Sequence, residues 1–217
     1  MTRETIELIV LSTTKVGENA LVVHSLSKEW GRRGFLVHSP GKAGMARFLP
    51  LNIIEAEVVE NPKSDLWSIR GISLKDGLPG IRGNLRKNTL TLFLAELLFR
   101  TLREGIVEDG LYEWCVGSIL TLDALESDFS NFHIRFLLEF AGALGFRPTM
   151  DDIGPFAGEY YAALQPFLTS GFEQSMLIPL NGSTRNALCE VLINYLSFHT
   201  DTPIQVKSLA VLRDLYR

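Results

Sequence analysis

The stretch Leu66-Trp67-Ser68-Ile69-Arg70-Gly71-Ile72-Ser73-Leu74 alternates, with Leu66, Ser68 and Arg70 on one side and Trp67 and Ile69 on the other, as a half-buried strand does. Leu78-Pro79-Gly80 then breaks the chain. From Asn84-Leu-Arg-Lys-Asn-Thr-Leu-Thr-Leu-Phe-Leu-Ala-Glu-Leu-Leu-Phe-Arg-Thr-Leu-Arg103 the period moves towards 3.6 and the residues are helix formers. Its apolar arc, with Leu85, Leu92, Leu97 and Phe99, is too broad for a surface helix, so burial on several sides is expected. The switch near 78–83 divides the chain into residues 1–80 and 81–217.

Upstream, the pattern stays in twos. Ile6, Leu8 and Val10 alternate with Thr5, Glu7 and Ile9; Ala20 to Leu26, Phe35-Leu36-Val37 and Ile53 to Val59 follow. Turn residues separate them at Lys15 to Asn19, Trp30-Gly31, Ser39-Pro40-Gly41 and Asn61 to Ser64. Five short strands suggest a small closed barrel or a sandwich, because closure removes exposed edges, and a five-stranded OB-type barrel is one economical solution. Downstream, helices are predicted over Tyr112 to Leu125, Asn131 to Leu144 (closed by Gly145), Thr184 to Phe198 and Ser208 to Leu215. Residues 147–182 carry Pro148, Pro155, Pro166 and Pro179 and read as loop with a short helix. The fold class is α+β: an N-terminal OB-type barrel followed by an all-α helical domain.

The chain has 217 residues, 46% hydrophobic and 21% charged, which suits a globular core and argues against disorder. Two cysteines cannot build a disulfide framework or a four-cysteine zinc site. No apolar run reaches a membrane span and Met1-Thr2-Arg3-Glu4 does not open a secretory signal, so a cytoplasmic location is expected. The net charge of −4 hides an asymmetry: residues 1–80 hold 10 Lys/Arg against 9 Asp/Glu, and residues 81–217 hold 11 against 16. Within 28–47, Lys28, Arg32, Arg33, Lys42 and Arg47 face one acid, Glu29. That is either a footprint for phosphates or a solvated loop.

Catalytic chemistry finds little support. His24, His38, His133 and His199 are scattered, and none stands at metal-ligand spacing from a Cys or another His. Cys115 and Cys189 sit in apolar helical stretches and read as buried small hydrophobes. Gly41-Lys42 lacks the following Ser/Thr and the upstream Gly of a phosphate loop. Asp151-Asp152 reads as a turn or cap. The chain is not expected to be an enzyme and no cofactor is expected.

Four stretches resemble RecO-type recombination mediators, in the family's order: Thr5 to Glu18, Asn84 to Glu104, Asn131 to Pro148 and Lys207 to Asp214. The resemblance implies an OB barrel followed by a helical domain and a non-enzymatic role in DNA repair in a bacterial, nucleoid-associated setting. It implies binding of single- and double-stranded DNA, annealing of complementary strands and, with RecR, loading of recombinase onto strands coated by single-stranded-DNA-binding protein. It also implies recognition of that protein's acidic, Phe-ended C-terminal tail. Two features depart from the family. Thr149 to Phe156 holds no Cys where many members carry a zinc cluster, so no metal is expected, and Ser39 to Arg47 holds two cations, Lys42 and Arg47.

For DNA, the candidates are Lys28, Arg32, Arg33, Lys42 and Arg47 on phosphates, Lys15 as a sixth, and Trp30 as a base stacker beside Gly31. For the partner tail they are Arg135, then Arg103 and Arg100, at the rim of a groove between helices. Arg135 also stands four residues before Glu139, the spacing of an ion pair. Three other classes are alternatives: an adaptor of the same pathway with weak or no DNA binding, an OB-type RNA or translation factor, which gives no reason for the helical half, and an enzyme, which needs a polar pocket that the sequence does not advertise.

Overall fold

The computed structural model describes residues 3–38 and 41–215. Five strands, β1 (Arg3–Val16), β2 (Ala20–Ser27), β3 (Gly31–His38), β4 (Ile53–Val59) and β5 (Trp67–Leu74), close into a barrel in the order β1-β2-β3-β5-β4. Strand β1 has 14 residues, enough to pair β4 with its first half and β2 with its second. A register shift between Val10 and Ser12 bends it there. The barrel is sealed by a short parallel contact of β3 with β5, Phe35 opposite Trp67 and Leu36 opposite Ser68.

Alternation along β1 feeds two cores. Ile6, Leu8 and Val10 point into the barrel with Phe35, Val37 and Ile54, while Ile9 and Leu11 join the helical core with Leu26, Leu51 and Ile53. Strand β3 begins at Gly31, earlier than the apolar run predicts, so Arg32 and Arg33 are strand residues and not loop residues.

Between β3 and β4 lie α1 (Gly41–Gly44) and a 3-10 turn (Met45–Phe48). After the barrel come α2 (Pro79–Arg82), α3 (Leu85–Thr101), α4 (Leu111–Ala124), α5 (Phe132–Ala143), α6 (Met150–Ala157), α7 (Tyr161–Thr169), α8 (Phe172–Leu177), α9 (Gly182–His199) and α10 (Leu209–Leu215). Helix α3 starts where Asn84 caps it, its side chain accepting from the amides of Arg86 and Lys87. It is buried on several faces, as its broad apolar arc predicts, but Leu85 and Leu92 of that arc are exposed. Gly145, just beyond α5, takes φ +86°.

Residues 150–177 are more helical than the prolines suggest. Pro155 and Pro166 lie inside α6 and α7 and each removes an amide donor. Burial of Ile153 and Ala157 on one helix and Leu164 and Phe167 on the other outweighs that cost. Asp151 and Asp152 fall in the first turn of α6, where Thr149 caps the amide of Asp152.

Barrel and helices are joined by backbone contacts. The amide of Gly105 donates to the carbonyl of Arg32 at 2.9 Å, so the segment after α3 runs along the start of β3. Gly31 has φ +61°, and a Cβ there would lie 1.9 Å from the carbonyl oxygen of Ile106. Arg82 donates to the Pro50 carbonyl at 2.8 Å and to Asn52 Oδ1 at 2.6 Å, pinning α2 to the turn before β4. No helix among the described residues is long and apolar enough to cross a membrane.

Candidate functional site

The cations that cluster at 28–47 in sequence are dispersed in space, because successive strand residues face opposite ways. Arg32 turns outward from the barrel into the helical junction. Its Nε donates to the Leu102 carbonyl at 2.7 Å, its guanidinium lies 5.0 Å from the Phe99 ring, and Glu104 stands 3.6 Å away. Its side chain is 15% exposed, so it serves as a rivet between barrel and helices. Lys28, in the turn before β3, forms an ion pair with Glu113 of α4, which raises the lysine's pKa and lowers the glutamate's.

Arg33 faces the other way. It shares its face of β3 with Phe35, and the Phe35–Trp67 register brings Trp67 beside it. The Arg33 guanidinium lies 3.6 Å from the Trp67 ring centroid and donates to the Asp65 carbonyl at 3.0 Å. Trp30 meets Trp67 edge to face at 5.4 Å and packs on Phe35 at 6.1 Å. Trp30 is therefore partly buried against the barrel core, and the ring on which the arginine lies is Trp67. Arg33, Trp67 and the β4–β5 loop line a groove of about 520 Å³.

A second groove, of about 400 Å³, opens near the other end of β3. His38, Arg47, Phe48 and Arg70 are among its lining residues. Arg47 is exposed on the 3-10 turn, and Arg70 pairs with Glu57 at 3.2 Å. Five strand residues, about 16 Å, separate Arg33 from His38. Lys15 is exposed near the end of β1, and the Lys42 side chain lies outside the described residues.

In the helical part, Arg135 is held by three contacts. It pairs with Glu139 at 2.6 Å and donates to the Ser170 carbonyl at 2.8 Å and more weakly to that of Phe167. It also borders a groove of about 460 Å³ with Trp114, Leu138, Gly142, Arg147 and Leu168. Trp114 is held against Phe136 and stacked on Phe140, which gives this groove a rigid aromatic wall. Arg147 is exposed, and its guanidinium lies where a Cβ on Gly142 would touch it. Arg103 donates to the Thr200 carbonyl and borders a separate groove. Arg100 pairs with Glu96 across one helical turn and borders a third. The three arginines thus line three different depressions.

Trp67, Arg70 and Arg147 are not singled out by sequence reasoning. For Trp67 the available signal is its place opposite Phe35, which only the barrel register supplies. Cys115 and Cys189 are buried, and burial pushes both thiols well above the usual thiol range. Among the described residues no group of three or more His, Cys, Asp or Glu is disposed to hold a metal ion.

The family model described as Recombination protein O C terminal matches residues 82–154, from α2 into α6. A DNA repair protein RecO of Bacteroides fragilis is 31% identical over 96% of this chain and 97% of its own length. The proteins of the same name from Phocaeicola vulgatus and Flavobacterium psychrophilum are 28% and 26% identical with the same coverage.

Proposed function

The chain belongs to the DNA repair protein RecO family, and from that membership we propose that it is a recombination mediator that binds single strands on its barrel. Its role lies in DNA repair and recombination. In this reading it anneals complementary strands and, with RecR, helps load recombinase onto DNA coated by single-stranded-DNA-binding protein. The observation that carries the reading is the Arg33–Trp67 pair at the barrel closure, a cation and an aromatic face beside an open groove. An OB barrel holds single strands with those two elements, a positive track for phosphates and ring faces for bases. Arg47, exposed near the other end of β3, supplies a cation for phosphates. The acidic helical part supplies the partner surface. The groove walled by Trp114 and Leu138 offers apolar surface to a carboxylate-terminated peptide; of its two edge arginines Arg135 is paired with Glu139, Asp109 also lines the groove, and the exposed Arg147 is the cation for the carboxylate.

The test is annealing of two complementary oligonucleotides coated with single-stranded-DNA-binding protein. Faster annealing on addition of the chain supports the mediator; an unchanged rate, with and without RecR, refutes it.

A second reading is an adaptor of the same pathway that binds little DNA itself. The ion pair of Lys28 with Glu113 and the commitment of Arg32 to Leu102 favour it, because the first neutralises a surface cation and the second withdraws one from solvent.

A further inference from the structure

We propose that the groove beneath the β4–β5 loop is a nucleobase subsite in which the Arg33 guanidinium, held over the Trp67 ring, is itself the surface on which a base stacks. The inference rests on the single-strand reading above and assigns to Arg33 a task different from the phosphate contact expected of a strand cation.

Three observations carry it. The first is charge. Arg33 and Lys63 share the groove with Glu60 and Asp65, so its formal charges cancel. A phosphate gains little from such a site, whereas a neutral planar base loses nothing. The second is pre-organisation. The guanidinium is fixed from below by the Trp67 ring at 3.6 Å and from the side by the Asp65 carbonyl at 3.0 Å. Trp67 is itself braced by the edge-to-face contact with Trp30 at 5.4 Å. A delocalised, weakly hydrated plane supported in this way and lining the groove is a surface for stacking, which the compact ammonium of a lysine is not. The third is space. About 520 Å³ falls within the range of small-ligand clefts, roughly 300–1,000 Å³, and admits a base with its sugar. The rim keeps its shape through its own bonds, the Lys63 amide to Asn61 Oδ1 at 3.0 Å and the Leu66 amide to Ser64 Oγ at 3.1 Å.

The test compares fluorescein-labelled (dT)20 with an abasic strand of equal length, on the wild-type chain and on Arg33→Lys. A stacked base is worth roughly 5- to 150-fold in affinity. The lysine variant, which keeps the charge and loses the plane, is expected to weaken (dT)20 binding within that range. Its affinity for the abasic strand and the salt dependence of (dT)20 binding should stay as in the wild type, since the cation count is unchanged. Trp67→Leu, checked for folding by thermal melting, should reproduce the loss. Arg33→Lys binding (dT)20 as tightly as wild type, or losing both strands equally, overturns the inference. Wild-type protein that binds neither strand at low salt instead overturns the single-strand reading beneath it.

Discussion

Arg32 donates to the carbonyl of Leu102 at 2.7 Å, reaching from the second residue of β3 to the residue that ends α3. Its neighbour Arg33 lies on Trp67 on the other side of the same strand. Two adjacent arginines therefore do different work, and substitution should separate them. Arg32→Ala is expected to lower stability by about 2 kcal/mol, the scale of a charge-assisted hydrogen bond, with a smaller effect on single-strand affinity than Arg33→Ala. Denaturant melts and binding isotherms of the two variants check this.

The helical groove allows the same separation. Arg135 is tied to Glu139, Ser170 and Phe167, so Arg135→Ala is expected to cost about 1–3 kcal/mol of stability. Arg147 is exposed, and Arg147→Ala should leave the melting temperature within a degree or two, roughly the 0.5 kcal/mol of an ordinary surface change. If the groove takes the acidic Phe-ended tail, both variants lose peptide affinity. Calorimetric titration of a synthetic tail peptide reads it, and undiminished affinity in both removes the groove from the partner model.

Gly31 tests the joint between barrel and helices. Its φ of +61° and the 1.9 Å approach of a would-be Cβ to the Ile106 carbonyl leave no room for a side chain. Gly31→Ala is expected to destabilise by about 3 kcal/mol or more. Hydrogen exchange should show early loss of protection at the Gly105 amide, which donates to Arg32.

Acid sensitivity is expected from one buried histidine. Burial, with the charge of Arg185 adding to it, lowers His133 from 6.5 to about 3. The unfolded chain therefore binds this proton first, and the stabilising contribution is present above pH 6.5 and is lost as pH falls towards 3. The full loss is on the order of 5 kcal/mol. His24, lowered in the same sense by burial and by Arg32, adds to the trend. Urea melts between pH 7 and pH 4 should show falling stability, with a shallower fall in His133→Leu. A pH-independent midpoint in the wild type would contradict the assignment.

The strands and long helices were legible because their residues repeat with the right period: Ile6, Leu8 and Val10 fill the barrel, and α3 is buried on several faces, Leu85 and Leu92 excepted. What was less legible has physical causes. The start of β3 is Gly-Arg-Arg-Gly, which has no apolar signal and takes its strand form from pairing with Leu26 and Ser25 on β2. Helices α6 and α7 contain Pro155 and Pro166, and their packing overrides the local preference. The basic cluster at 28–47 looked like one patch because proximity along a chain ignores the two faces of a strand. Trp67 stood out least of all, since its link to Arg33 is made by a parallel register across the barrel closure.

The most direct test of the central claim is fluorescence anisotropy of a labelled single strand titrated with the wild-type chain at several salt concentrations. A single-strand-binding barrel gives an affinity whose logarithm falls linearly with the logarithm of salt, the slope being about −0.7 for each phosphate neutralised. Absence of binding at the lowest salt would contradict it and leave the adaptor reading in its place.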